Sequence, residues 1–136
     1  MRVVLDVNVL ISAILSPGGS AARLLRAWEA GAFELIASPA LLAELERALG
    51  YPKIRRLVPE ADAAAYAAWL AESATMAMDP HVPPPVHAAD PDDDFLLALA
   101  AAQRAILVSG DAHLLALTPS FPVRSPAQFL ATLDEA

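Results

Sequence analysis

The chain has 136 residues, 57% of them hydrophobic, no cysteine and a formal net charge of −7. This length suits residues 1–136 as one domain with one core; the missing thiols exclude disulfides, thiolate zinc sites and cysteine nucleophiles, and no apolar stretch approaches the roughly 18 residues of a membrane span. The acid excess argues against a polyanionic partner unless bound cations offset it, because phosphate contacts draw on lysine and arginine.

The opening Met1-Arg2-Val3-Val4-Leu5-Asp6 puts a carboxylate where a secretion signal keeps its apolar run, so no export signal is read and a cytoplasmic setting is expected. Val3-Val4-Leu5 suits a buried strand. Val9 to Leu15 is apolar and suits a short helix, broken by Pro17-Gly18-Gly19. Ser20 reads as the N-cap of a helix through Glu29, with Gly31 as its terminating glycine. Phe33 to Ala37 reads as a second strand. Ser38-Pro39 is a cap followed by proline at the first helical position, and Leu41, Leu42, Leu45 and Leu49 share one face of the helix that Gly50 ends. A further helix runs from about Pro59 to Ser73, and Thr75 to Met78 suits a short strand. Asp79 to Asp92, rich in proline and acid, reads as a loop long enough to be functional.

Asp93 to about Gln103 is a helix apolar nearly all round, hence buried. Ile106-Leu107-Val108 is another buried strand, Asp111 to Leu117 a short helix and Val123 a final strand. Ser125-Pro126 repeats the cap signature before a closing helix. Strand alternating with helix implies an α/β fold with a mainly parallel sheet.

Ligands of such sheets sit outside the carboxyl ends of the strands. Asp6 directly follows the first strand. Asp111 follows Ile106-Leu107-Val108 after only Ser109-Gly110, so both project from one sheet edge. Asp93 joins them if its helix begins at that edge. Each also has a purely structural reading: an aspartate after a strand is often a turn residue or helix cap, and the run Asp90, Asp92, Asp93, Asp94 suits a solvated helix start. Glu44 and Glu46 both flank the leucine face of their helix, and periodicity does not choose between them. His81, His87 and His113 read as loop or surface residues. Lys53, Arg55 and Arg56 gather the scarce basic charge on one segment and are candidate phosphate contacts, or simply a solvated cluster.

Together these segments resemble the PIN-domain family, especially its VapC-like toxin branch. The resembling stretches, in order, are Leu5-Asp6-Val7-Asn8-Val9-Leu10-Ile11-Ser12-Ala13, then Pro17-Gly18-Gly19 with Ala22-Arg23-Leu24-Leu25, then Ser38 to Leu45. Asp90 to Ala100, Leu107-Val108-Ser109-Gly110-Asp111 and Pro122 to Leu130 complete the series. Residues 57–87 contribute little. The resemblance implies a three-layer α/β/α sandwich with a central parallel sheet and an acidic quartet of Asp6, Glu44, Asp93 and Asp111 around one or two Mg²⁺ or Mn²⁺ ions. It selects Glu44 over Glu46 and Asp93 over Asp94, and makes Asn8 and Ser109 polar supports. It further implies single-stranded RNA as substrate, endoribonuclease activity, an antitoxin partner and a homodimer. Ser109 stands where the family often has threonine, which keeps the hydroxyl, and Leu115 supplies no further acid after Asp111.

Hard cations take oxygen ligands, and clustered carboxylates repel unless cations or protons relieve them, so the residue types suit the chemistry. Two other classes remain open. An aspartate-based phosphatase would use Asp6 as nucleophile, but wants a second acid where Asn8 stands. An acid-lined module would bind a protein partner and cut nothing.

Overall fold

The computed structural model describes residues 1–134. It opens with strand β1 (Arg2–Leu5), in which Val3, Val4 and Leu5 are fully buried, as a strand covered on both faces requires. Helix α1 (Val7–Leu15) follows at once, with Asp6 as its N-cap. Helix α2 (Ser20–Glu29) buries Leu24 and Leu25. Its N-cap is Gly19 rather than the expected Ser20: Gly19 has extended backbone and its carbonyl already accepts from Arg23 N–H at 3.1 Å, so Ser20 falls inside the first turn. Gly31, at φ 88°, takes the left-handed turn that ends this helix.

Strand β2 (Glu34–Ala37) leads into helix α3 (Pro39–Leu49), where Ser38 Oγ accepts from Leu41 N–H at 3.2 Å and Leu41, Leu45 and Leu49 face the core. Leu42 is only partly buried. A short helix α4 (Pro52–Arg55), absent from the sequence reading, carries Lys53 and Arg55. Helix α5 (Glu60–Ser73) and strand β3 (Thr75–Met76) follow.

The irregular segment after β3 is tied down at two points: Asp79 Oδ2 accepts from Ala40 N–H at 2.9 Å, and Asp94 Oδ1 from Ala88 N–H at 2.7 Å. A 3₁₀ turn (Pro91–Asp93) then runs into helix α6 (Asp94–Gln103). The chain closes with strand β4 (Ile106–Val108), helix α7 (Ala112–Leu115), strand β5 (Val123–Arg124) and helix α8 (Pro126–Asp134).

The sheet has the order β3-β2-β1-β4-β5, and every pair is parallel, so it is wholly rather than mainly parallel. The chain steps outward from β1 through β2 to β3, then returns across β1 to β4 and steps the other way. With right-handed crossovers, this reversal sends α6 to the face opposite the earlier helices. Accordingly α6 packs on β1 and β4 with Leu96 to Ala100 buried, while α1, α2, α3, α5 and α8 pack among themselves. The result is a three-layer α/β/α sandwich whose strand order reverses between β1 and β4, the place where an open α/β sheet leaves a crevice. No helix among the described residues is long and apolar enough to cross a membrane.

Candidate active site

The crevice between β1 and β4 is where Asp6 and Ser109-Gly110-Asp111 emerge. Leu5 pairs with Val108 in register, and Asp6 N–H continues the ladder to Val108 O at 2.9 Å. Asp6 is only 5% exposed. Its Oδ2 accepts from Ser109 Oγ at 2.7 Å, and its Oδ1 accepts from Asn8 N–H at 3.3 Å. The Ser109 hydroxyl, itself fully buried, also accepts from Asp111 N–H at 3.0 Å. One hydroxyl therefore donates to the first carboxylate and accepts from the backbone of the other, holding the two strand ends together. Burial pushes the Asp6 carboxyl up from its ordinary value; the bonds from Ser109 and Asn8 pull it back, and nearby Asp111 adds to the rise.

Asp111 caps α7, its Oδ1 accepting from His113 N–H at 2.8 Å. Asp6 and Asp111 thus each cap a helix, and because each stands between a strand and a helix at this sheet edge, capping leaves both at the crevice. Asp93 closes the 3₁₀ turn ahead of α6. Its carboxyl is pushed up to about 6, first by burial and then by the charges of Asp6, Asp90, Asp111 and Asp92.

Glu44 comes from α3 and lines, with Asp6, Asn8, Asp90, Asp92 and Asp93, a cleft of about 220 Å³. A neighbouring hollow of about 230 Å³ brings Asp93 and Asp90 to Asp111. The four carboxylates named from the sequence therefore stand around two adjoining hollows that share Asp93. Glu46 lies elsewhere, in a groove between α3 and α5. Asp94 is likewise apart: its two oxygens accept from Ala88 N–H and meet His87 Nδ1 at 2.9 Å, contacts that hold it below the usual carboxylate range.

Three participants were not singled out in the sequence. Asp90 and Asp92 line the cleft, although their run reads as an ordinary helix start. Arg47, one turn after Glu44, bonds both oxygens of the Glu44 carboxylate, the Oε2 contact being 2.7 Å. The i, i+3 spacing from Glu44 was the available signal. The basic segment is not brought among the carboxylates: Lys53 and Arg56 are exposed, while Arg55 sits 3.5 Å from Glu60 of α5, tying α4 to α5.

The donor chemistry fits a hard divalent cation. Its candidate donors are carboxylate oxygens, and Asp6 and Asp93 are raised by burial and by acidic neighbours, Asp111 beside Asp6 and Asp6, Asp90, Asp111 and Asp92 beside Asp93, a cost that a cation relieves. As placed, no three acid or histidine side chains among the described residues stand close enough to ligate one ion.

Comparison with known proteins follows the same lines. A family model described as PIN domain matches residues 2–113. No curated protein matches the chain. Among solved structures the fold is similar to that of a chain in VapBC2 from Rickettsia felis, crystallised with a DNA fragment from their promoter. The TM-score is 0.67 at 15% identity, covering 92% of this chain and 98% of that one.

Proposed function

Because the chain belongs to the PIN-domain family, we propose that it acts, as one cytoplasmic domain, as a metal-dependent endoribonuclease on single-stranded RNA and is the toxin of a toxin–antitoxin pair. The observation that carries this reading is the meeting of Asp6, Asp93 and Asp111 at the β1/β4 crevice, with one carboxyl raised to about 6 by burial and by its acidic neighbours. The likeness to a chain crystallised as part of VapBC2 supports an antitoxin as partner.

Asp6, Glu44, Asp93 and Asp111 are the residues that would hold Mg²⁺ or Mn²⁺. When bound, the cation supplies Lewis acidity to the phosphodiester and to a water. The chain does the rest. Ser109 fixes the Asp6 carboxylate through Oδ2, and Asn8 N–H fixes Oδ1, so Asp6 enters the site already oriented. Arg47 holds Glu44 in reserve through both its oxygens. Near pH 6 and below, where raised Asp93 still holds much of its proton, cation uptake would be coupled to proton release.

The test is incubation of single-stranded RNA with Mn²⁺, with and without chelator, beside a generic phosphatase substrate. The parent cuts RNA only with Mn²⁺. Asp6→Asn and Asp111→Asn, which keep the cap geometry, lower cleavage by at least about 100-fold. Intact RNA, or full cleavage by Asp6→Asn, refutes the reading. Growth arrest on expression, relieved by a neighbouring antitoxin, tests the toxin role, and sedimentation tests the homodimer.

A further inference from the structure

Beside the acid cleft lies a third hollow, of about 360 Å³, that differs from the first two in charge. It shares Asn8 with the cleft and Asp111 with the neighbouring hollow, so it opens directly onto the carboxylates. Beyond Asp111 no charged side chain lines it. Val9, Ala21 and Pro126 give it apolar walls, while Asn8 and Ser12, one turn apart on α1 and both exposed, give it hydrogen-bonding groups along one side.

Its rim next to the carboxylates is Gly110. A side chain built there meets nothing within 4 Å, and the backbone is outside the left-handed region. Neither local packing nor backbone conformation calls for glycine at this position, and what its missing side chain leaves is open space between Ser109 and Asp111.

We infer that this hollow receives the base and ribose of the nucleotide adjoining the scissile phosphate, and that Ser12 and Asn8 read the edge of that base. The inference rests on the ribonuclease reading and deepens it. A nucleotide divides into a charged phosphate and a nearly neutral base with polar edges and apolar faces. The acid cleft suits the first only through cations, and a hollow with apolar walls and amide and hydroxyl groups, charged only where Asp111 joins it to the carboxylates, suits the second. An account based on phosphate contacts alone would want basic residues here, and none lines the hollow.

Ser12→Phe fills the hollow from an exposed helix position, away from the carboxylates. Ser12→Ala keeps the space and removes the hydroxyl. Gly110→Ala adds one methyl at the rim. Cleavage positions on a single-stranded RNA of random sequence, and kcat and KM on one preferred oligonucleotide, are measured with saturating Mn²⁺ for variants that melt with the parent. Ser12→Phe is expected to raise KM roughly 10-fold or more, and Ser12→Ala to loosen base preference next to the cut. Gly110→Ala should alter that preference as well. If the parent cuts RNA and Ser12→Phe cuts the same positions with the same KM, the pocket assignment is overturned while the nuclease reading stands. If the parent leaves RNA intact, both fall.

Discussion

Replacing Asp93 by asparagine removes one charge from the acid cluster while keeping the side-chain shape. The Asp93 carboxyl titrates near 6 in the fold, against an ordinary value of 3.8. A group raised in this way binds more protons folded than unfolded. Its favourable contribution is therefore full below pH 4 and is lost as pH rises through 4 to 6, leaving a charge the fold tolerates poorly at pH 7. At about 1.4 kcal/mol per pH unit the full displacement corresponds to about 3 kcal/mol; because Asp93 is still partly in contact with water, screening reduces this to about 1 kcal/mol.

Asp93→Asn should thus stabilise the metal-free protein by about 1 kcal/mol at pH 7, or about 3–5 °C in Tm for a chain of this size. The gain should shrink to nothing near pH 4, where parent and variant are both neutral at this position. Melts with chelator at pH 4 and pH 7, then across a Mn²⁺ series, provide the assay. The variant should gain less from Mn²⁺ than the parent, whose gain grows with concentration as a bound ligand requires. Asp94→Asn is the opposing control: it keeps an oxygen for Ala88 N–H but loses the carboxylate that meets His87, and should melt lower at pH 7. If Asp93→Asn melts lower than the parent at pH 7 and gains as much from Mn²⁺, Asp93 serves only to start its helix and the convergence argument fails.

Ser109→Ala strands a buried oxygen of Asp6 and should cost about 1–3 kcal/mol in a denaturant melt at pH 7, with Mn²⁺ affinity falling about 10-fold; Ser109→Thr, which keeps the hydroxyl, should restore binding. Arg47→Ala frees Glu44, so half-maximal activity should need less Mn²⁺, with little change in Tm because the ion pair is exposed; an unchanged Mn²⁺ requirement removes Arg47 from the site. Lys53→Ala with Arg56→Ala, sparing the Arg55–Glu60 tie, should reduce the salt dependence of RNA binding by about 0.7 in slope per lost contact if these residues hold phosphates. An unchanged slope leaves them as surface charge.

The sequence alone determined the fold class and the order of the strands and longer helices, because burial on both faces leaves continuous apolar runs such as Val3-Val4-Leu5 and Ile106-Leu107-Val108, and caps such as Ser38-Pro39 are written locally. It also determined that Asp6 and Asp111 leave strand ends, since Asp6 follows its strand directly and Asp111 after only Ser109-Gly110. Helix α4 escaped this reading because a four-residue helix has no periodicity to show. Likewise, the cap of α2 at Gly19 is a matter of backbone conformation.

Only the tertiary structure decided that β1 and β4 are neighbours, and hence that the Ser109 hydroxyl can reach Asp6 across 103 positions of sequence. The same holds for Asp93, whose elevated carboxyl depends on burial first and then on charges from two strand ends and its own loop. Glu44 and Glu46 are equivalent in hydrophobic pattern, and the packing of α3 is what turns one toward the acid cleft and the other toward α5. Charge repulsion and hydrogen bonding act over a few ångströms, so a linear pattern names the groups but the fold alone sets which of them meet.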